Sequence, residues 1–372
     1  MLETLEQTRW DDVHHAYGPA GDTADHVRNL TSRVALVRRN AIDKLIASIC
    51  HQGSVYSATA RAVPFLIEVA GDPSVPDRAA VLELLRFIAD GSEVRDEDDG
   101  ATSKHPAWLD ELRRALRDGA DVYLRLLDDD DVEVRAQAIN VLTSLPALRD
   151  RSAPRLREAV ANDASETVRA AAIVAIAQVS DSDYAETNAQ LVRAFETDPC
   201  VACRASAAIF TLPRLRPEPR DDMTAACILV ATGGADDFSD PPPNVESWEA
   251  AALVALRRAN VNVSDEDLSR AAEVLHERRR CTFEHAAALL DVAFRGGRAP
   301  ASADQLTAGQ RKAVEAVAAF AFPRPYTLWG NYADALGRHG LPRSDEAMTK
   351  YLGGPLQWRA LDRTGKPFWK FW

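Results

Sequence analysis

Cysteine is scarce in this chain, with five in 372 residues, and no paired, regularly spaced set is visible. That argues against a disulfide framework. There is no run of about 18 uninterrupted apolar residues, so no membrane-spanning helix is expected. The opening Met1-Leu2-Glu3-Thr4-Leu5-Glu6-Gln7 lacks the basic-then-apolar layout of a secretion signal. The expectation is a cytoplasmic protein with no membrane contact. Positive charge is also in deficit: the formal net charge is −12. A general DNA or RNA coat needs the opposite balance, because neutralising phosphates supplies its affinity, so nucleic acid is not the expected partner. The short signatures of chemistry are missing too. There is no G-x-S-x-G, no P-loop, no H-E-x-x-H and no glycine-rich phosphate cradle at a helix start. No cofactor and no metal is expected, and an enzyme is not the first expectation.

What is present is repetition. Asp131-Val132-Glu133-Val134-Arg135-Ala136-Gln137-Ala138-Ile139 is echoed by Ser165-Glu166-Thr167-Val168-Arg169-Ala170-Ala171-Ala172-Ile173. It is echoed again by Cys200-Val201-Ala202-Cys203-Arg204-Ala205-Ser206-Ala207-Ala208. The arginines Arg135, Arg169 and Arg204 are 34 and 35 residues apart. A short motif at that period marks stacked helical pairs, because one pair cannot bury its apolar face alone. With 46% apolar residues the chain has ample material for a continuous core.

The motif resembles the HEAT repeat and its bacterial HEAT-like relatives of the PBS-lyase type. The residues carrying the resemblance are a turn acid (Asp131, Asp163, Asp198), the Val-Arg or Cys-Arg step, and the small and aliphatic residues that follow. The pattern is clear over roughly 120–212. It is fainter at Leu36-Val37-Arg38-Arg39-Asn40-Ala41-Ile42 and Pro76-Asp77-Arg78-Ala79-Ala80-Val81-Leu82. It changes at Ser247-Trp248-Glu249-Ala250-Ala251-Ala252-Leu253 and Phe283-Glu284-His285-Ala286-Ala287-Ala288-Leu289, where Glu stands for Arg. The resemblance implies an all-α, right-handed solenoid of antiparallel helix pairs whose second helices line a concave face. It also implies that Asp and Arg link neighbouring repeats. Most such arrays bind proteins, and a subset of related folds are DNA glycosylases, so function is not inherited with the fold.

The expected layout is an N-terminal cap over 1–33 and repeats over 34–232 with an acidic loop inserted at 90–106. A loop follows at 233–247, then degenerate repeats over 248–340 and an aromatic cap or tail over 341–372. The step from Arg78 to Arg135 is 57 residues, so about one extra helix is expected there, near Trp108 to Arg117. Pro64 should kink its helix or mark its start. The loop Gly233-Gly234-Ala235-Asp236-Asp237-Phe238 offers Phe238 as an exposed contact. The tail from Gln357 carries Trp358, Trp369 and Trp372 with a charge of +3. With Trp329, those rings either fold back as a cap or anchor a partner.

Candidate site residues follow from side-chain chemistry. Arg78, Arg135, Arg169 and Arg204 form either a local basic groove along one inner face or ion pairs to turn acids. Trp108 beside Asp110, and Trp248 beside Glu249, set an aromatic next to an acid, as a lesion-binding groove would. His14, His15 and Tyr17 could meet His51, Gln52 and Tyr56, and imidazoles beside a phenol could move protons; His14, Tyr17 and His51 are the catalytic candidates. Asp128-Asp129-Asp130-Asp131 lacks the spacing of a calcium loop and reads as helix-start acids. Cys200-x-x-Cys203 stands alone and reads as core, as do Cys50, Cys227 and Cys281. The leading expectation is a non-enzymatic scaffold that binds a protein or peptide on its concave face. The alternative is an enzyme or DNA-lesion reader with a groove pocket. The partner and the oligomeric state are not written in the sequence.

Overall fold

The computed structural model describes residues 2–91, 93–94, 107–181, 185–215, 218–235, 238, 241–242, 245, 247–277, 282–321 and 329–355. The acidic run at 96–100, Cys281, Trp358, Trp369 and Trp372 lie outside them, and the Trp329 side chain is likewise not described. The fold is all-α. Two compact units divide the chain: residues 1–190 with 242–244, and residues 191–241 with 245–372.

The first unit opens with a small antiparallel pairing of β1 (His14–His15) with β2 (Gly18–Pro19). Four helices follow: α1 (Thr23–Asn29), α2 (Ala35–Ile49), α3 (Ser57–Gly71) and α4 (Arg78–Asp90). Between α2 and α3, β3 (Ser54–Val55) pairs in parallel with β4 (Glu93–Val94). The extra helical material in the long interval is α5 (Ala107–Asp118) and α6 (Ala120–Arg125). Then come α7 (Val132–Thr143), α8 (Arg149–Asn162) and α9 (Glu166–Val179). Within this unit α1 packs on α2, α3 on α4, α6 on α7 and α8 on α9, while α4, α7 and α9 stack side by side. That is the pair-upon-pair arrangement the 34-residue period requires.

Local chemistry sets the boundaries. Thr59 Oγ1 accepts the Tyr56 N–H and donates to the Ile49 carbonyl, so one hydroxyl closes the end of α2 and the start of α3. The Asp131 carboxylate accepts the Glu133 N–H and caps α7. Pro64 does not begin its helix, since α3 starts at Ser57 and runs through it. Leu45, Leu66, Leu82, Leu85, Ile139 and Leu142 are completely buried between the layers. Each such side chain contributes about 1.5–3 kcal/mol on leaving water.

The second unit takes up the chain within α10 (Ala185–Thr197) and continues with α11 (Val201–Thr211) and α12 (Asp221–Ala231). Six more helices complete it: α13 (Trp248–Arg258), α14 (Asp265–Glu277), α15 (Phe283–Ala293), α16 (Ala308–Ala321), α17 (Trp329–Arg338) and α18 (Asp345–Leu352). The stack of α13, α15 and α17 forms one layer, and α14 and α16 lie against each other in the opposite one. Ser247, Thr282 and Ser344 hydroxyls cap α13, α15 and α18 by accepting the N–H three residues on. Alanines at 252, 255, 286, 288, 313 and 316 let these helices approach closely around Leu253, Leu289, Val317 and Leu336. Among the described residues, no helix is long and apolar enough to cross a membrane.

Candidate functional site

Arg38, Arg135, Arg169 and Arg204 sit one turn into the second helix of their pairs, and Arg78 is the first residue of α4. That position lets a long side chain reach backwards over its own helix start and sideways to a neighbour. Arg135 does both. Its Nη1 donates to the carbonyls of Asp129 and Asp130 at 2.7 and 3.3 Å. Its Nε and Nη2 grip the two Asp163 oxygens at 3.0 and 3.1 Å. Arg78 holds Asp129 in the same two-pronged way, at 2.7 and 2.9 Å. Arg38 donates to Asp77 and to the Ser32 carbonyl. Arg169 reaches the carbonyls of Asp163 and Ala164, and Arg204 those of Asp198 and Pro199.

The acids are fixed just as firmly. Asp129, Asp163 and Asp198 each accept the N–H two residues on, from Asp131, Ser165 and Cys200. The turn acid of the first repeat is therefore Asp129, six residues before its arginine like the others, and not Asp131, which is the helix cap. The Arg78 hydrogen bonds hold the Asp129 carboxyl below the usual carboxylate range, against the upward push of its partial burial. Arg78 and Arg135 thus bind inside the array, and their charge is neutralised there.

Residues 119–212 match the family model for HEAT repeats. This stretch is built of HEAT repeats. No curated protein matches the chain. A crystal structure of an engineered protein is similar at 19% identity, over 90% of this chain and 81% of that one, with a TM-score of 0.35. A likeness that faint carries no argument.

Around the HEAT segment, the other candidates fall as follows. His15, buried, donates from Nε2 to Asp22 at 2.9 Å, while its Nδ1 accepts the Tyr17 N–H at 3.1 Å. Both ring nitrogens are occupied, which leaves no lone pair for a substrate proton. Burial pushes the Asp22 carboxyl up, but His15 and His26 outweigh it and hold it below its ordinary value. Tyr17, 68% exposed, sets its ring edge-on to His15 and His51, with centroids 6.0 and 5.6 Å apart. The backbone of His14 exchanges hydrogen bonds with the Ser57 hydroxyl. The loop after α2 and the N-terminal hairpin therefore do meet, as the sequence suggested. The residue sequence reasoning missed is Asp22, whose only signal was an acid one short hairpin after the histidines.

The aromatic–acid pairs do not form open grooves. Trp248 is buried edge-on to Phe238 at 5.6 Å, and Glu249 is 3% exposed. Phe238 is correspondingly half-buried against the core of the second unit, not an exposed contact. Asp110 faces solvent beside Arg113 at 3.9 Å, while Trp108 is half-buried. In the acidic run, Asp128 binds Arg155 at 2.7 Å, Asp129 binds Arg78, and Asp131 caps α7. Among the described residues, no group of three His, Cys, Asp or Glu is placed to hold a metal ion. Cys50, Cys203 and Cys227 are buried thiols.

Proposed function

We propose that this chain is a non-enzymatic scaffold that binds a protein or peptide along the face made by its second helices, the face the HEAT resemblance makes concave. HEAT repeats mark a repeat scaffold of a kind that often interacts with proteins. The observation that carries the reading is an exposed apolar residue at the start of three second helices, α2, α7 and α11, though not of α4 or α9. Leu36 is 75% exposed at the start of α2, Val132 39% at α7 and Val201 52% at α11. Val132 and Val201 stand three residues before their repeat arginine, at one and the same place in the repeat. The arginines fix the backbone there, and the apolar side chains remain for contact. Exposed apolar residues at recurring positions are what a partner covers.

The test is capture from native lysate with the full chain and with a Leu36→Asp, Val132→Asp variant of unchanged melting temperature. One stoichiometric partner, lost in the variant, is expected. A partner retained in full by the variant removes this face, and absence of any protein partner removes the scaffold reading.

A further inference from the structure

The second unit carries a basic feature that the repeat arginines of the first do not prepare for. The three neighbouring helices α13, α15 and α17 all end in arginine-rich turns: Arg257 and Arg258, Arg295 and Arg298, Arg338 and Arg343. The acids nearest in sequence are Asp291, Asp334, Asp345 and Glu346, and Asp291 also feels the charges of Arg338 and Arg257. Asp291 is engaged by His339 at 3.1 Å, and Asp334 by Arg343 at 3.4 Å. In a chain of net charge −12, this concentration of positive charge on adjacent turns is the exception.

Cations at helix C-termini ordinarily serve the helix, by neutralising its terminal carbonyls. Here the backbone already does so. The Val261 N–H closes onto the Leu256 carbonyl, Gly296 onto Asp291, and Leu341 onto Leu336. Arg257, Arg295 and Arg298 make no hydrogen bond to a carboxylate or carbonyl among the described residues. Arg257 and Arg298 are nonetheless placed. Gly296 and Gly340 both have a left-handed backbone, with φ of 70° and 75°. The guanidinium of Arg257 lies where a Gly296 side chain would start, and Arg298 Nε is 3.2 Å from where a Gly340 Cβ would sit. Arg257 and Arg298 thus lie against the glycine of the next turn. The turns are also tied to one another. His339 Nδ1 donates to the Gly297 carbonyl at 2.7 Å, and the Ala299 N–H donates to the His339 carbonyl.

We infer that these turns form a docking ridge for an acidic segment of a protein partner. The inference rests on the scaffold reading above. Arg257 and Arg298 are placed against the glycine turns, Arg295 and Arg298 have no hydrogen-bond partner among the described residues, and guanidinium binds carboxylate in a two-pronged geometry. A short segment fits better than a long polyanion, because the chain as a whole carries a net charge of −12 and repels an extended polyanion. Packed helices lie ~8–10 Å apart, so three turns span roughly 20 Å. An extended peptide covers that in about six residues at ~3.3 Å each.

The experiment uses the full chain and a fluorescent oligoglutamate peptide, with binding read by anisotropy across a salt series. Arg295→Glu alone and Arg295→Glu with Arg298→Glu are compared with the native chain. A control reverses Arg113 and Arg114, two exposed arginines of α5. Binding that weakens with salt, and roughly tenfold on double reversal, is the expected result. The single variant keeps the test sound if the double variant loosens the Gly340 turn. An equal loss in the control variant would overturn the ridge, since only net charge would then matter. So would affinity insensitive to Arg295→Glu. Duplex DNA binding more tightly than the peptide, and lost in the same variants, would overturn the partner class. The two readings fail separately: a native chain that captures no protein sinks the scaffold, whereas indifference of the peptide to Arg295 sinks the ridge.

Discussion

Replacing Arg135 with alanine tests the account of the HEAT ladder most directly. Its side chain is 14% exposed and that of Asp163 12%, so the pair is largely dry. The substitution removes two charge-assisted hydrogen bonds to Asp163 and two more to the carbonyls of Asp129 and Asp130. It leaves Asp163 with the Ser165 N–H. Breaking a fully buried ion pair from one side costs about 3–5 kcal/mol. Residual exposure lets water reach the stranded carboxylate, and the expected loss is about 3 kcal/mol. For a urea slope of ~1–3 kcal/mol/M this lowers the midpoint by roughly 1–3 M. Repeat arrays need not unfold in one step, so amide exchange at the start of α9 is the companion readout and should accelerate most there. Asp163→Asn should cost less, because the amide oxygen still accepts. The double variant should fall short of the sum by about 1–3 kcal/mol. A loss under ~0.5 kcal/mol, or strict additivity, would refute the reasoning and return Arg135 to the set of contact residues.

Acid should loosen both units through carboxyls held low. Hydrogen bonds from Arg78 depress Asp129, and those from His339 depress Asp291. A depressed folded value contributes stability that is complete above the ordinary carboxylate pKa of ~4 and is lost as pH falls through the folded one. A melting temperature that stays level down to that point and then drops is expected, with Asp129→Asn flattening the drop. Tyr123 is fully buried with no partner for its hydroxyl among the described residues, and burial drives that hydroxyl well above its ordinary pKa. Tyr123→Phe should therefore stabilise by about 1 kcal/mol, and a clear loss of stability would mean that a partner exists. Burial pushes the Cys50 thiol up to about 11 and the Cys227 thiol up to about 12. Neither should react with a thiol reagent at neutral pH until the chain is unfolded, as mass spectrometry of the labelled protein would show.

The HEAT segment was legible because it repeats its own geometry. An arginine that must reach its own helix start and the next turn can occupy only one place on the helix, so it recurs at the period of the pair. The register of the acid was not legible in the first repeat. Four successive aspartates, Asp128 to Asp131, offer four candidates, and Asp131, which caps the helix, stands in the place of the turn acid more plainly than Asp129 does. The rule that finds it is the six-residue interval from acid to arginine in Asp163–Arg169 and Asp198–Arg204. The extra helix before Asp128 followed from counting residues alone. The burial of Trp248 and Phe238 did not, because a glycine- and proline-rich loop reads as exposed whatever it packs against. The convergence of His15, Tyr17 and His51 was visible only as a possibility. Its chemistry depended on Asp22 and on a backbone N–H that no side-chain pattern reports.

The same residue type does opposite things in the HEAT segment and at the ends of α13 and α15, and the difference lies in what precedes it. Arg135 has a turn acid six residues back, with its carbonyl within reach, and a second acid on the next turn; a guanidinium so surrounded is neutralised. Arg257 and Arg298 end helices whose carbonyls are already closed by backbone N–H groups, and the next turn offers a glycine instead of a carboxylate. Among the described residues no carboxylate is hydrogen-bonded to either one, Arg257 meets only the longer-range charge of Asp291, and the absent Cβ lets both lie against the turn. Gly296→Ala separates the two consequences. At φ 70° an alanine is strained, and its methyl displaces the Arg257 guanidinium. The expected loss of stability is about 1 kcal/mol, modest beside that of Arg135→Ala, because no charge is stranded. Oligoglutamate affinity should fall with it, since the arginine keeps its charge but loses its place. Unchanged affinity in a folded Gly296→Ala variant would show that the ridge acts by charge alone, without the positioning argued for it.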